Sequence, residues 1–378
     1  MQSAGDLPRV TYLSMDPLTS TVGRSQVLNY VERLAASGVS VDLVTFEHSV
    51  DVDIRQGLCD LGVHWTPQVY GRAGPLGGLG RVLRGSGVIR GSALVHARSD
   101  LAAAAAMLAG IQHWVWDVRS LWVDQKVATG VVRPNSLQGR ILRWVERQAA
   151  LRATAVITLT ESAVDELGRR YGETVTQKAQ VITTCSDLEH FSLSPMPAPP
   201  LRVLLSGTIN RYYDMYVMLA VVEELRRRRP VEFILASPDA TSWEAELASV
   251  EVVRLSARPD EMAQLVASCH LGLSICRDDA GVSLKAAMPT KIGELLASGR
   301  PVVVNPGLAD AARLVRSNRC GAVIGSSGPC NVKKAVDVIE ECLADTTTPQ
   351  RCRALAESHF DLGSGIESLL DVYHSAKL

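Results

Sequence analysis

Lysine is scarce in this 378-residue chain: of 39 basic residues only seven are lysine (126, 178, 285, 291, 333, 334 and 377), and the other 32 are arginine. Against that background Lys285 and Lys291, six positions apart, stand out. A charge excess is also missing. The formal net charge is -1, which argues against a general binder of nucleic acid or other polyanions. The eight cysteines (59, 185, 269, 276, 320, 330, 342 and 352) form no C-x-x-C pair and no Cys/His ligand spacing. Several sit in apolar runs, as small hydrophobes do, so a reduced, cytoplasmic protein without structural zinc is expected. No stretch reaches the ~18 uninterrupted apolar residues of a membrane span, and no signal-peptide pattern opens the chain. No G-x-G-x-x-G follows the first strand of either half, which disfavours a dinucleotide dehydrogenase.

What is present is alternation. Short β-branched runs at 9–14, 40–46, 93–97, 114–118, 154–159 and 179–183 are separated by helix-period segments such as 24–36, 100–110, 138–151 and 161–171. Such alternation predicts parallel sheets covered by helices on both faces. The stretch 194–200 holds four prolines in seven residues, which neither a helix nor a central strand accepts, and reads as a linker. Strands are expected again near 202–206, 231–236, 250–255, 271–275 and 301–304. The last segment, 363–376, carries Ile366, Leu369, Leu370 and Tyr373 at helical spacing. The expectation is therefore α/β: two doubly wound domains, 1–193 and 201–358, facing across a cleft, with 359–378 as a helix packing back on the first.

In such sheets ligands sit outside the carboxyl ends of the strands. Residues 288–305 run from such an end into a helix and then a strand. Pro289 suits the start of the helix, Ile292, Leu295 and Leu296 form its core stripe, and Gly299 closes it. Thr290, Lys291 and Glu294 lie on its opening turns, where free N–H groups and the helix dipole attract phosphate. A lysine there fits a pyrophosphate, and a glutamate one turn on fits vicinal hydroxyls. The spacing alone equally allows a Lys291–Glu294 ion pair on a solvated face.

Residues 288–305 resemble the donor-site segment of family 4 of the retaining GT-B glycosyltransferases, which reads PTK-x-x-E-x-x-A-x-G-x-PVV. The likeness continues in matching order through Val10 to Pro17, Val22-Gly-Arg-Ser-Gln26, His96-Ala-Arg-Ser99, Trp116-Asp-Val-Arg119 with Trp122, Val156 to Glu161 and Asp187 to Phe191. It spans nearly the whole chain. The resemblance implies the GT-B fold, two Rossmann-like domains with the nucleotide-sugar in the C-terminal one. Glu294 would then hold the ribose and Lys291 the phosphates of a UDP- or GDP-linked donor sugar.

The departures are as informative. Many members of the family carry a glutamate eight residues before Glu294, where this chain has Ala286. Many also carry Arg and Lys in the loop after the first C-terminal strand, where this chain has Thr208 and, approximately, Tyr213. Arg211 is the one cation left there, and it is assigned with Lys291 to the leaving phosphate. A neutral loop decoration is the alternative for Arg211.

In the first half, Gly23 would let backbone approach a ligand closely, or it is a plain turn. His96 and Arg98 come at the end of one predicted strand, Asp117 and Arg119 at the end of another. The functional reading sets Asp117 and Arg119 against the acceptor and the transferring sugar, with His96 a third catalytic candidate and Arg119 stabilising charge as the sugar–phosphate bond breaks. The bland alternatives are a buried Asp117–Arg119 ion pair and a satisfied core histidine.

Asp51-Val-Asp53 and Asp278-Asp279 resemble metal motifs, but no required metal is expected, since cations and a helix terminus can serve a diphosphate. The segment 140–147 is basic and amphipathic, as membrane-surface helices are, yet it also matches an ordinary packed helix, which is the reading preferred. The expected activity is metal-independent transfer of a sugar, with retention, to a hydroxyl or amine of a small-molecule, glycan or lipid-linked acceptor. The rivals are a nucleotide-sugar 2-epimerase and a non-catalytic homologue serving as a binding or partner subunit.

Overall fold

A computed structural model describes residues 7–377. It divides into two compact units, the chain up to Thr183 with the chain from Gly363 onward, and Thr184–Leu362.

The first unit is built on seven parallel strands: β1 (Val10–Ser14), β2 (Val41–Glu47), β3 (His64–Val69), β4 (Leu94–Arg98), β5 (Trp114–Val118), β6 (Ala155–Thr158) and β7 (Ala179–Val181). Their order is β3-β2-β1-β4-β5-β6-β7, all neighbours parallel. Every residue of β1, β4 and β5 is buried, as expected of central strands covered on both faces. His96, Arg98 and Asp117 are therefore charged or polar groups set inside core strands, at their carboxyl ends. The order in which strands are added reverses between β1 and β4, so the topological switch point, where ligands lodge in such sheets, lies above Ser14 and Arg98.

The second unit has six parallel strands: β8 (Leu201–Ser206), β9 (Val231–Ala236), β10 (Val253–Leu255), β11 (Leu271–Ser274), β12 (Val302–Val304) and β13 (Gly321–Val323). Their order is β10-β9-β8-β11-β12-β13. The switch point here lies between β8 and β11.

Two strands are additions to the sequence reading. β3 contains Pro67 and buries no residue fully, which an edge strand tolerates and a central strand does not. β13 opens on Gly321 and Ala322, so it lacks a β-branched run. The proline-rich stretch 194–200 belongs to the second unit. There the buried Arg300 donates to the carbonyls of Ser194 (3.0 Å) and Pro195 (2.8 Å) and to Ser194 Oγ (2.7 Å). The final helix, Leu362–Ala376, brings Tyr373 to His96 and its Ala376 carbonyl within 3.2 Å of His113 Nδ1, so from Gly363 it is part of the first unit.

Candidate functional site

At the switch point of the second unit the chain leaves β8 through Gly207, whose φ of +83° is a conformation that side chains rarely adopt. The turn that follows is laid along the segment after β11. Tyr213 bridges Cys276, Asp214 N–H donates to the Ile275 carbonyl (3.0 Å), and Arg277 N–H donates to the Tyr212 carbonyl (3.0 Å). Asn305, buried just after β12, fixes the same segment by accepting from Cys276 N–H (2.9 Å) and donating to Asp278 Oδ1 (3.0 Å).

The helix Thr290–Ala297 opens beside this turn. Its N-cap is Pro289, one position earlier than the first helical residue, and no side chain caps the helix. Gly299 lies just past its end with φ +78° and donates to the Leu296 carbonyl (3.0 Å). Ile292, Leu295 and Leu296 are buried, as the spacing required.

Lys291 is buried too, 8% exposed, and its Nζ makes no hydrogen bond among the described residues. The ammonium lies 4.4 Å from the centre of the Tyr213 ring. A β-carbon built on Gly207 would stand 3.8 Å from Lys291 Nζ, so the bare glycine backbone is the lysine's other near neighbour. Burial lowers the Lys291 pKa to about 8, partly opposed by Glu294. Burial likewise raises half-buried Glu294 to about 7, with Lys291 pulling the other way. The solvated ion pair allowed by spacing is thus replaced by two desolvated groups held in tension. An unpartnered buried ammonium beside an uncapped helix start and a glycine turn is suited to receive an anion.

The other residues proposed for this site fare differently. Thr290 is half-buried on the first turn, and Thr208 is exposed on the turn after Gly207. Arg211 is exposed, stacked over Trp243 (4.2 Å) and 3.6 Å from Glu246. No contact joins it to Lys291 among the described residues. Ala286 is fully buried. Tyr213 was legible only as a missing lysine; its use as a π surface for Lys291 had no signal in the sequence.

At the switch point of the first unit a closed polar cluster is found. His96 stacks on Tyr12, with ring centres 4.2 Å apart. Its Nε2 lies 3.2 Å from Asp117 Oδ2, and its Nδ1 accepts from the Tyr373 hydroxyl (3.0 Å). Those two bonds select the neutral ring with its proton on Nε2. Burial lowers the His96 pKa, and Asp117 opposes this. Burial works to raise Asp117, but Arg119, then His96 and Arg98, bring it down to about 2. Arg119 reaches Asp117 Oδ1 (3.4 Å) and donates to Gln26 Oε1 (2.6 Å), and Arg98 pairs with Asp16. Gln26 belongs to a π-helical turn, Arg24–Leu28, a distortion common at functional sites. Ser99, next after β4, holds φ +85°, strain of the kind that concentrates at such sites.

Gly23 serves close approach, but to the protein's own chain: a β-carbon there would meet the Pro17 carbonyl oxygen at 1.9 Å. The Pro17–Leu18 loop is pinned from below by buried Glu47, which accepts from Leu18 N–H (3.0 Å) and Thr45 Oγ1 (2.6 Å). Asp51 of the D-x-D caps the helix Val52–Asp60, accepting from Asp53 N–H (3.0 Å) and Ile54 N–H (3.1 Å). Asp279 pairs with Arg277.

Known proteins place these observations. A family model described as the glycosyl transferase 4-like domain matches residues 23–185. No curated protein matches the chain. Among solved structures it is similar to sucrose-phosphate synthase from Thermosynechococcus elongatus (TM-score 0.70, 16% identity, 97% of this chain and 98% of that one). It is also similar to Anabaena Alr3699/HepE in complex with UDP-glucose (0.69, 16%, 96% and 99%). A third is WaaG, a glycosyltransferase involved in lipopolysaccharide biosynthesis (0.63, 16%, 97% and 99%).

Proposed function

We propose that this chain, which carries a glycosyl transferase 4-like domain and has the GT-B fold, transfers a sugar from a nucleoside-diphosphate donor to an acceptor hydroxyl or amine. The observation that carries the reading is the buried, hydrogen-bond-free Nζ of Lys291 between the Gly207 turn and the start of the helix Thr290–Ala297. A buried cation without a partner is costly. A diphosphate would supply the missing acceptor, with backbone N–H groups of the turn and helix start taking further oxygens. Glu294, one turn along, is suited to accept from ribose hydroxyls once ionised. UDP is the first nucleotide to test, because a solved relative of this fold is described with UDP-glucose.

The donor site lies wholly in the second unit. In the first, Arg119 is the group suited to meet developing charge, with Gln26 and Asp117 fixing its guanidinium. Asp117 and His96 act behind it as positioning residues, since both are buried and bonded to each other. The reading includes retention and no divalent metal: Lys291 and backbone N–H groups would neutralise the departing diphosphate, and no side chain need supply a nucleophile. Because Arg211 faces Trp243 and Glu246, leaving-group stabilisation rests on Lys291 and backbone.

A second reading, a binding subunit without turnover, draws on Ala286, a buried methyl where many of the family have a sugar-binding glutamate. Thermal shift with UDP and UDP-glucose, in EDTA and in Mg2+, tests the donor site. At 100 times its dissociation constant a ligand contributes ~2.7 kcal/mol. A shift retained in EDTA is expected, and a shift that needs Mg2+ would overturn the metal-free site. Release of UDP from UDP-glucose on adding acceptor separates transferase from binding subunit.

A further inference from the structure

The helix Leu137–Arg152 is turned inside out. Its inward face is Gly139, Glu146, Ala149 and Ala150, all buried. Glu146 is 1% exposed and collects Arg170 Nη1 (2.9 Å), Arg143 Nη1 (3.3 Å) and the Tyr171 hydroxyl, while Arg143 and Arg170 also hold Asp124 (2.7 and 2.9 Å). The outward face is apolar. Leu137 (72% exposed), Ile141, Trp144 (58%) and Leu151 are all open to solvent. At 3.6 residues per turn these four fall within about 40° of one line along the helix. Arg140 and Arg147 flank one side of that line and Arg152 the other; all three are exposed and make no ion pair among the described residues. Glu146, the helix's one acid, faces inward, so the outer face carries no negative charge.

A second helix of the same unit, Gly74–Val88, repeats the inversion. Arg81 is buried, donating to the carbonyls of Tyr70 and Arg72, while Leu76 (85% exposed), Leu79 and Leu83 point outward beside exposed Arg84. Both helices pack against the helix Asp100–Ala109, so the two bare stripes belong to neighbouring parts of one layer. A water-facing helix normally shows the opposite polarity. Contiguous exposed apolar side chains rimmed by charged ones mark a docking surface.

We infer that this face docks on an anionic phospholipid surface, the helix Leu137–Arg152 lying in the headgroup plane. The charge pattern selects that occupant: free arginines border the apolar line on both sides, as required to meet phosphate headgroups while leucine, isoleucine and tryptophan enter the acyl boundary. A protein partner or a second copy would need a surface rich in acids against it, and the copy offers the same arginines. The sequence reading preferred an ordinary packed helix for 140–147; the structure buries its small residues and Glu146, half-buries Leu142 and Val145, and leaves Leu137, Ile141, Trp144 and Leu151 exposed.

The test is sedimentation of the full chain with vesicles of phosphatidylcholine alone and of phosphatidylcholine mixed with phosphatidylglycerol. Binding is expected to the mixed vesicles and to weaken with salt, each arginine replaced by glutamine costing about fivefold. The double variant Ile141→Glu/Trp144→Glu should lose vesicle binding by tenfold or more. It should keep the melting transition and UDP binding of the parent, because the replaced side chains contact solvent. If that variant melts early, Arg140→Gln/Arg147→Gln carries the test, since those side chains have no partner to lose. Failure of the parent chain to bind mixed vesicles, or equal binding by the variants, would overturn the proposal. So would self-association of the parent that the same variants abolish, without vesicle binding.

Discussion

The Lys291 ammonium lies 4.4 Å from the centre of the Tyr213 ring, and its Nζ makes no hydrogen bond among the described residues. A π face is a weaker partner than a carboxylate, worth ~0.5–2 kcal/mol. The lysine is thus held in place without being neutralised. Tyr213→Phe keeps that face and should leave UDP affinity within about threefold. Tyr213→Leu removes it and should weaken UDP binding by about tenfold, at a melting temperature lowered by lost packing. Calorimetric titration of both variants decides, and equal affinity for Phe and Leu removes the ring from the account.

Glu294→Gln keeps the size of the side chain and removes its charge. The loss expected is tenfold or more in UDP affinity, from charge-assisted hydrogen bonds of about 1.5–3 kcal/mol. Folding should survive and even improve near pH 8, where the parent must hold a desolvated carboxylate. An unchanged dissociation constant would return Glu294 to a structural role.

The same two groups set a pH window. Glu294 is raised to about 7 and would accept the proposed ribose hydrogen bonds more strongly once ionised, so affinity should climb as pH rises through 7. Lys291 is lowered to about 8, so affinity should fall again as pH rises through 8 and the ammonium is lost. UDP-glucose is the ligand to use, since its diphosphate diester does not titrate in this range. A bell with a narrow top between pH 7 and 8 is expected; Glu294→Gln should flatten its acid limb and Lys291→Met its alkaline limb. Stability without ligand runs the other way. The raised glutamate binds its proton more tightly folded than unfolded, so stability falls between its unfolded pKa and about 7. The lowered lysine releases its proton more readily when folded, so stability rises again above about pH 8.

Arg119 is the counter-charge that keeps Asp117 ionised inside the first unit. Arg119→Ala strands that carboxylate and should destabilise the protein by about 3–5 kcal/mol. Asp117→Asn in the same chain should recover part of the loss. UDP affinity should change little in either, because the nucleotide site proposed above belongs to the other unit. Turnover should fall by ~100-fold or more even in the recovered double variant. Chemical denaturation and UDP-release assays on the same samples separate the two effects, and normal turnover in the double variant removes Arg119 from the chemistry.

Gly23→Ala drives a β-carbon to within 1.9 Å of the Pro17 carbonyl oxygen, so the loop over β1 must shift. A loss of stability above about 2 kcal/mol is expected. Gly57 is the control. It sits in the helix Val52–Asp60 with nothing near its missing β-carbon, and Gly57→Ala should stabilise by roughly 0.5–1 kcal/mol. Thermal unfolding of the two variants compares them directly.

Much of this molecule is legible residue by residue. The alternation of β-branched runs with helical periods determined two parallel α/β units, and only β3 and β13 escaped, one through Pro67 and one because it opens on Gly321 and Ala322 instead of β-branched residues. Pro289 and Gly299 marked the two ends of the helix Thr290–Ala297, because capping acts within a turn or two of the chain. The tertiary structure alone decided which side chain meets which across the sheet. It set Tyr213 beneath Lys291, closed His96 between Asp117 and Tyr373 of the last helix, and took the space beside Gly23 for Pro17. It also turned the helix Leu137–Arg152 so that Glu146 faces inward and Trp144 outward, the reverse of what hydrophobicity alone selects. Periodicity records local hydrogen bonding and the presence of an apolar stripe. The partner buried against that stripe, and the cost of desolvating a charge there, depend on groups brought together by crossovers, and no local pattern encodes them.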